Sequence, residues 1–194
     1  MLTGLVLPGE RGAWRPVAGA QMIHALPLFM RVVWALMPTA GRALLKAYLR
    51  DHGVSFDVVE HARSESAVAE AQAVHLPVEQ TAKTVVLHAP GGYRFAVVRG
   101  SDRLDLNKAA DALGVRRHEL RFASEADMAA DFPAYEVGAI PPIGPDTPAE
   151  LMDVGLLDYG QVLCPAGDHE HSLLIDPADI VRVTGARTLK LHQE

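Results

Sequence analysis

The sequence predicts a compact α+β domain in which short helices pack on a mixed, largely antiparallel sheet, and three observations lead there. Apolar residues recur at helical spacing in short segments closed by glycine or proline, as at Leu44, Leu45, Tyr48 and Leu49 before Gly53. Runs of strand composition with period-two alternation stand beside them, as in Val54-Ser55-Phe56-Asp57-Val58. The two kinds of segment are interspersed irregularly, which favours antiparallel pairing over a regular series of parallel βαβ units. With 194 residues, 49% of them hydrophobic, the chain suffices for one domain of about 150 residues plus an appendage. A chain of this size buries roughly two thirds of its unfolded surface and needs no metal or disulfide to fold.

Residues 1–39 read as an N-terminal extension and residues 40–194 as the domain. The apolar stretch from Pro16 to Gly41 is interrupted by His24, Pro27 and Arg31, so it is too broken for a membrane span of about 20 apolar residues. It also fits a signal peptide poorly, because Glu10 and Arg11 arrive together and no clean small-residue cleavage site follows. The extension is read as an amphipathic arm, as disordered chain, or as sequence upstream of a start at Met30 or Met37.

A first helix is expected from Ala40 to His52, ended by Gly53, and a strand from Val54 to His61. Ser64 and Ser66 offer N-caps for an alanine-rich helix from Ala67 to Val74, which Pro77 stops. Thr84–His88 and Tyr93–Val98 form a hairpin across Ala89-Pro90-Gly91-Gly92. Asp105 caps a helix that Gly114 ends, His118–Ala123 reads as a strand, and Ser124 opens a capping box. The proline-rich stretch after Pro133 is irregular; Gln161–Leu163 and Ser172–Ile175 are strands; Asp176-Pro177 starts a last helix.

Composition excludes several classes. A single cysteine, Cys164, rules out a disulfide scaffold, and its place before a proline at a strand end reads as an inert buried thiol. The net charge of −6 argues against a general nucleic-acid coat and against DNA as a partner. Charge is unevenly spread: residues 83–121 hold eight Lys/Arg against four Asp/Glu, and residues 122–179 hold twelve acids with no Lys or Arg. These blocks read either as solvated surface or as a basic rim for a phosphate-bearing ligand beside an acidic wall.

Three segments carry candidate chemistry: Thr81-Ala82-Lys83-Thr84-Val85-Val86-Leu87, Gly138-Ala139-Ile140-Pro141-Pro142-Ile143-Gly144 and Cys164-Pro165-Ala166-Gly167-Asp168-His169. Their order and spacing resemble the YbaK-type family, relatives of the editing domain inserted in bacterial prolyl-tRNA synthetases, from about Leu45 to Arg187. The most specific elements are a lysine just before an apolar strand and, 55 residues on, a Gly-x-x-x-Pro loop. The resemblance implies a compact α/β unit and a freestanding aminoacyl-tRNA deacylase. It further implies cytoplasmic trans-editing, in which a positioned water hydrolyses the ester of a tRNA mischarged with a small amino acid. An activated ester needs only positioned water and donors for the oxyanion, so no cofactor or metal is implied. The partners implied are mischarged aminoacyl-tRNA and an aminoacyl-tRNA synthetase, with no membrane.

The resemblance makes Lys83 the first catalytic candidate, holding the terminal phosphate or ribose of the tRNA. It also brings Asp168 and His169 beside the substrate, Asp168 for the α-ammonium and His169 for water or the 2′-hydroxyl. Gly138, Ala139, Ile140, Pro142 and Gly144 form the substrate-binding loop, whose free amides at Ala139, Ile140 and Ile143 can orient the carbonyl. Ser66 and His61 face the same cavity in this fold, although as plain sequence they read as a helix cap and a strand end. The chain has Pro141 where relatives carry a small polar residue. It also lacks the Ser-Ala-Gly followed by a basic residue and glycine of the cysteinyl-specific members, so neither preference carries over. Two other readings stay open: a non-catalytic module that binds tRNA or a synthetase, and a metal hydrolase built on Asp168, His169 and His171.

Overall fold

The computed structural model describes residues 38–193. Of the expected extension, residues 1–37 lie outside the described residues, and Pro38 and Thr39 already belong to the first helix.

Helix α1 (Pro38–Asp51) buries Leu45 and Leu49 one turn apart, and Gly53 at φ +63° turns the chain out of it. Gly41 lies so close to the backbone of Ala134 that a Cβ there would collide with the Ala134 carbonyl oxygen. Strand β1 (Phe56–Glu60) follows, then α2 (Ala67–Ala73) with Ser66 accepting the Ala69 amide as its N-cap. A single 3-10 turn leads into the hairpin of β2 (Ala82–Ala89) and β3 (Gly92–Arg99). Helix α3 (Leu106–Leu113) is capped by Asp105 and ended by Gly114 at φ +69°. The expected strand over His118–Ala123 shortens to β4 (Arg121–Phe122), because Arg117–Glu119 form a 3-10 turn. Ser124 caps α4 (Glu125–Asp131) through a capping box.

After the irregular stretch come β5 (Leu151–Asp153), β6 (Val162–Pro165), β7 (His171–Ile175), α5 (Pro177–Thr184) and β8 (Arg187–Leu189). The strands make two sheets, one of order β1-β7-β6 and one of order β4-β2-β3-β5-β8. Four of the six strand pairs are antiparallel; β3–β5 and β5–β8 are parallel. A parallel bridge from Thr81 to Leu163 joins the sheets at the start of β2.

Alternation along the strands divides the apolar side chains between cores. Val97 and Met152 join Leu45, Leu49, Cys164, Leu173 and Ile180 in the core that both sheets share, whereas Ala96, Val98 and Leu151 pack against Ala109 and Ala110 of α3. The C-terminal tail is clamped by buried Asp153, which accepts the amides of Leu191 and His192. The basic and acidic sequence blocks interlock in space: Arg94 pairs with Glu150 and Arg121 with Asp127, while Arg99 and Arg116 pair within their own block. Much of the expected basic rim is therefore neutralised locally.

Candidate active site

The start of β2, the end of β1, the first turn of α2 and two loops enclose a cleft of about 350 Å3, open solvent at its mouth included. Lys83 enters it from β2, where its backbone pairs with Val98, and its Nζ donates to the Gly100 carbonyl at 3.1 Å. Burial lowers the Lys83 pKa below its ordinary value; Asp102 opposes that shift and Arg103 adds to it. Gly100 is the point where the hairpin meets α2, since a Cβ there would stand 2.9 Å from the Ala67 methyl and 3.0 Å from the Val78 carbonyl.

His169 ties two walls of the cleft together. Its Nδ1 lies 2.9 Å from the Ser64 carbonyl and its Nε2 2.9 Å from the Val137 carbonyl, and donating to both takes an N–H on each nitrogen. Its amide donates to Glu136 and its carbonyl accepts the Ser64 amide. Both ring nitrogens are therefore spent on the scaffold.

Asp168 is held as firmly. Arg42 of α1 binds one carboxylate oxygen, and the other accepts from His171 Nδ1 at 2.8 Å and the Glu170 amide at 3.0 Å. Burial alone would raise its pKa, but His171, the Glu170 amide and Arg42 outweigh burial and hold it below the usual carboxylate range. Asp168, His169 and His171 thus engage Arg42, each other and backbone carbonyls and leave no shared vacant point for an ion. Among the described residues, the group close enough to hold a metal is instead Asp102, Asp153 and His192. There the Arg99 guanidinium already binds Asp102, and backbone amides fill Asp153.

In the glycine-rich loop, Gly138 takes φ +89°, a conformation that favours glycine. The Ala139 amide closes a turn onto Glu136, so it is not a free donor as expected from sequence. The Gly138 amide makes no hydrogen bond among the described residues and lies at the cleft wall. Ile140, Pro142 and Gly144 do not line the cleft. Ile140 packs with Val86, Phe95 and Tyr135, Pro142 is buried, and Gly144 lies within 3.0 Å of the Thr147 hydroxyl as a Cβ would measure it.

Of the ten site residues expected from sequence, seven meet at the cleft: His61, Ser66, Lys83, Gly138, Ala139, Asp168 and His169. The structure adds Glu70, which sequence reasoning passed over because one acid in an alanine-rich helix reads as solvent-facing. It is instead 8% exposed and lines the cleft. Fully buried Ser172 donates to Glu70 Oε1, and His61 Nε2 lies 2.8 Å from that same hydroxyl. Cys164 is wholly buried, and desolvation followed by the Glu70 charge pushes its thiol pKa up, so it is no nucleophile.

Residues 61–183 match the family model of the aminoacyl-tRNA editing domain. A crystal structure described as that of "a putative trans-editing enzyme for prolyl tRNA synthetase" superposes with TM-score 0.69 at 28% identity, covering 79% of this chain and 98% of that one. A hypothetical protein of solved structure reaches the same TM-score at 20% identity over 76% of this chain and 98% of its own, a likeness of fold alone. No curated protein matches the chain. The family model spans well over half of the sequence and contains every cleft residue described above, from His61 to His169, and on that ground the chain belongs to the aminoacyl-tRNA editing-domain family.

Proposed function

We propose that the protein is a trans-editing deacylase that hydrolyses the ester of a tRNA mischarged with a small amino acid, using positioned water. The observation that carries this reading is the cleft itself, lined by Lys83 and by Gly138, whose amide makes no hydrogen bond among the described residues. An aminoacyl ester is already activated, so a fixed cation for the phosphate or ribose and an amide for the developing oxyanion supply what its hydrolysis requires. Ala67, Ala139 and Pro165 line the space and leave room for a short side chain. A pocket selects poorly between side chains that differ by one methylene, about 10–200-fold, so a small site works by admitting the wrong residue and excluding the larger right one.

Asp168 and His169 support this reading as positioning residues, because their polar atoms hold Arg42, His171 and the loops at Ser64 and Val137. Ser66 acts through α2, whose first turn it caps at the cleft. The partners on this reading are mischarged aminoacyl-tRNA and the synthetase that supplies it. Among the described residues no helix is long and apolar enough to cross a membrane.

The test is a panel of tRNAs mischarged with alanine, serine, threonine and cysteine, incubated with the protein with and without chelator. Release of one or more of these amino acids, unaffected by chelator, is the expected result. Tight tRNA binding without release would establish a binding module, and loss of turnover to chelator with recovery on zinc would establish a metal hydrolase.

A further inference from the structure

We infer that Glu70 is the group that takes the proton of the attacking water, with Ser172 and His61 as the positioning residues that keep it a carboxylate. The inference rests on the deacylase reading and concerns a residue that reading does not use.

Hydrogen-bond accounting at the cleft leads to Glu70. Lys83 donates to the Gly100 carbonyl. His61 spends Nδ1 on the Ala62 carbonyl at 2.9 Å and Nε2 on Ser172 at 2.8 Å. His169 spends both nitrogens on carbonyls, and Asp168 spends both oxygens on Arg42, His171 and the Glu170 amide. Glu65 lies at the rim with its side chain 79% exposed. Glu70 binds Ser172 through Oε1 only, and Oε2 makes no hydrogen bond among the described residues although the residue lines the cleft. Of the buried carboxylates that line the cleft, Glu70 is the one with an oxygen left for a water.

The chain behind Glu70 runs in one direction. Ser172 donates its hydroxyl hydrogen to Glu70, and His61 carrying hydrogen on both nitrogens donates to Ser172 and to the Ala62 carbonyl. Moving one proton toward Glu70 fills the same bonds in reverse without moving a heavy atom: a Glu70 acid donates to Ser172, and Ser172 to a neutral His61. The two arrangements hold the same number of protons, so the buried carboxyl communicates with a partly exposed imidazole at the cleft mouth.

The surroundings set how readily Glu70 gives up its charge. Burial raises its pKa, while the Ser172 bond and the charges of His61 and His169 lower it, with a net rise. Of the other groups facing it, Lys83 on β2 favours the carboxylate, Asp168 and Glu65 oppose it, and Cys164 beneath it stays protonated. In its ionised form, a carboxylate whose pKa is raised above the ordinary value is a stronger base than an ordinary one.

The step balances without a co-reactant. Water oxygen bonds to the ester carbonyl carbon as one water proton passes to Glu70 Oε2, giving a tetrahedral oxyanion. Collapse breaks the bond to the ribose oxygen, which takes the proton from Glu70 and leaves free amino acid, free tRNA end and the carboxylate restored.

Deacylation of the best mischarged tRNA by the full chain, from about pH 5 to about pH 9, tests this. Glu70→Gln is expected to lower kcat about 100-fold or more with KM within about threefold, and Glu70→Asp to recover part of the loss. Ser172→Ala, and independently His61→Gln, should move the acid limb of kcat up by about one pH unit, because each removes a group that favours the carboxylate. A folded Glu70→Gln protein with kcat within about threefold of wild type, or acid limbs superimposable on wild type in both positioning variants, overturns the inference alone. Wild-type protein that hydrolyses no ester overturns the deacylase reading and this step together.

Discussion

Replacing Gly100 with alanine perturbs the point where the hairpin, α2 and Lys83 meet. The new methyl would stand 2.9 Å from Ala67 Cβ, 3.0 Å from the Val78 carbonyl oxygen and 3.3 Å from Thr81 Cβ. Carbon contacts settle at about 3.5–4.0 Å, so Ala67 must retreat by about half an ångström or more and Thr81 by less. None is the end of a flexible side chain; two are short methyl-bearing carbons and one is backbone. Overpacking of this kind costs about 1–3 kcal/mol. Gly100 does not lie at positive φ, so alanine regains about 0.4–1 kcal/mol by stiffening the unfolded chain. The net loss is about 1–2 kcal/mol, a fall of about 3–6 °C in Tm for a fold of this size. Because the Gly100 carbonyl holds Lys83 Nζ and Ala67 opens the helix at the cleft, kcat/KM should fall about tenfold as well. Thermal melts by circular dichroism and deacylation assays measure both effects. Gly160→Ala is the control, having nothing within 4 Å of its Cβ position and no positive φ. Gly100→Ala protein with the Tm and kcat/KM of wild type would refute the reasoning.

Three further outcomes follow from the packing. We propose that the folded unit begins with α1, so a chain starting at Met37 should melt like the full chain. One starting at Gly53 should fail to fold stably, since it forfeits buried Leu45 and Leu49 at about 1.5–3 kcal/mol each. Cys164 should resist a thiol reagent in native protein and react on unfolding, because burial holds its thiol protonated; modification of native protein at the rate of a free thiol would contradict its placement. Asp168 sits below the usual carboxylate range in the fold, so its contribution is complete above its unfolded pKa and is lost as pH falls through the lower folded value. Arg42→Ala, which removes one of its partners, should cost about 1–3 kcal/mol at neutral pH in urea unfolding, with the difference from wild type shrinking in acid.

Local signals were the legible part of this chain. Ser66, Asp105, Ser124 and Asp176 each cap the helix they precede in sequence, and Gly53 and Gly114 take positive φ where helices end. What makes a cap acts within four residues, so it is written in one window of sequence. Strands β5 and β8 were not legible: each has three residues, and they are strands because Leu151 lies beside Ala96 and Arg187 beside Leu151. Lys83, the Gly138 loop and the Asp168–His169 turn were found through the family's spacing. Their roles still depended on partners far away in sequence, such as Arg42 for Asp168, 126 residues off, and Ser64 for His169. Glu70 shows the same limit from the other side, since its bond to Ser172 spans 102 residues. Nothing near it in sequence distinguishes it from a solvated acid.

On the proposed function, the Lys83 ammonium is the charge that the cleft offers the tRNA end. Lys83→Ala leaves the hairpin pairing intact and should fold, as its stem is only partly buried. Lys83→Arg should rescue poorly, since a planar fork does not replace a compact ammonium against the Gly100 carbonyl. The decisive measurement is kcat/KM for deacylation of the best mischarged tRNA by Lys83→Ala protein of verified fold. The expected result is a loss of about 100-fold or more, equivalent to about 2.7 kcal/mol of transition-state stabilisation. Turnover near that of wild type would contradict it.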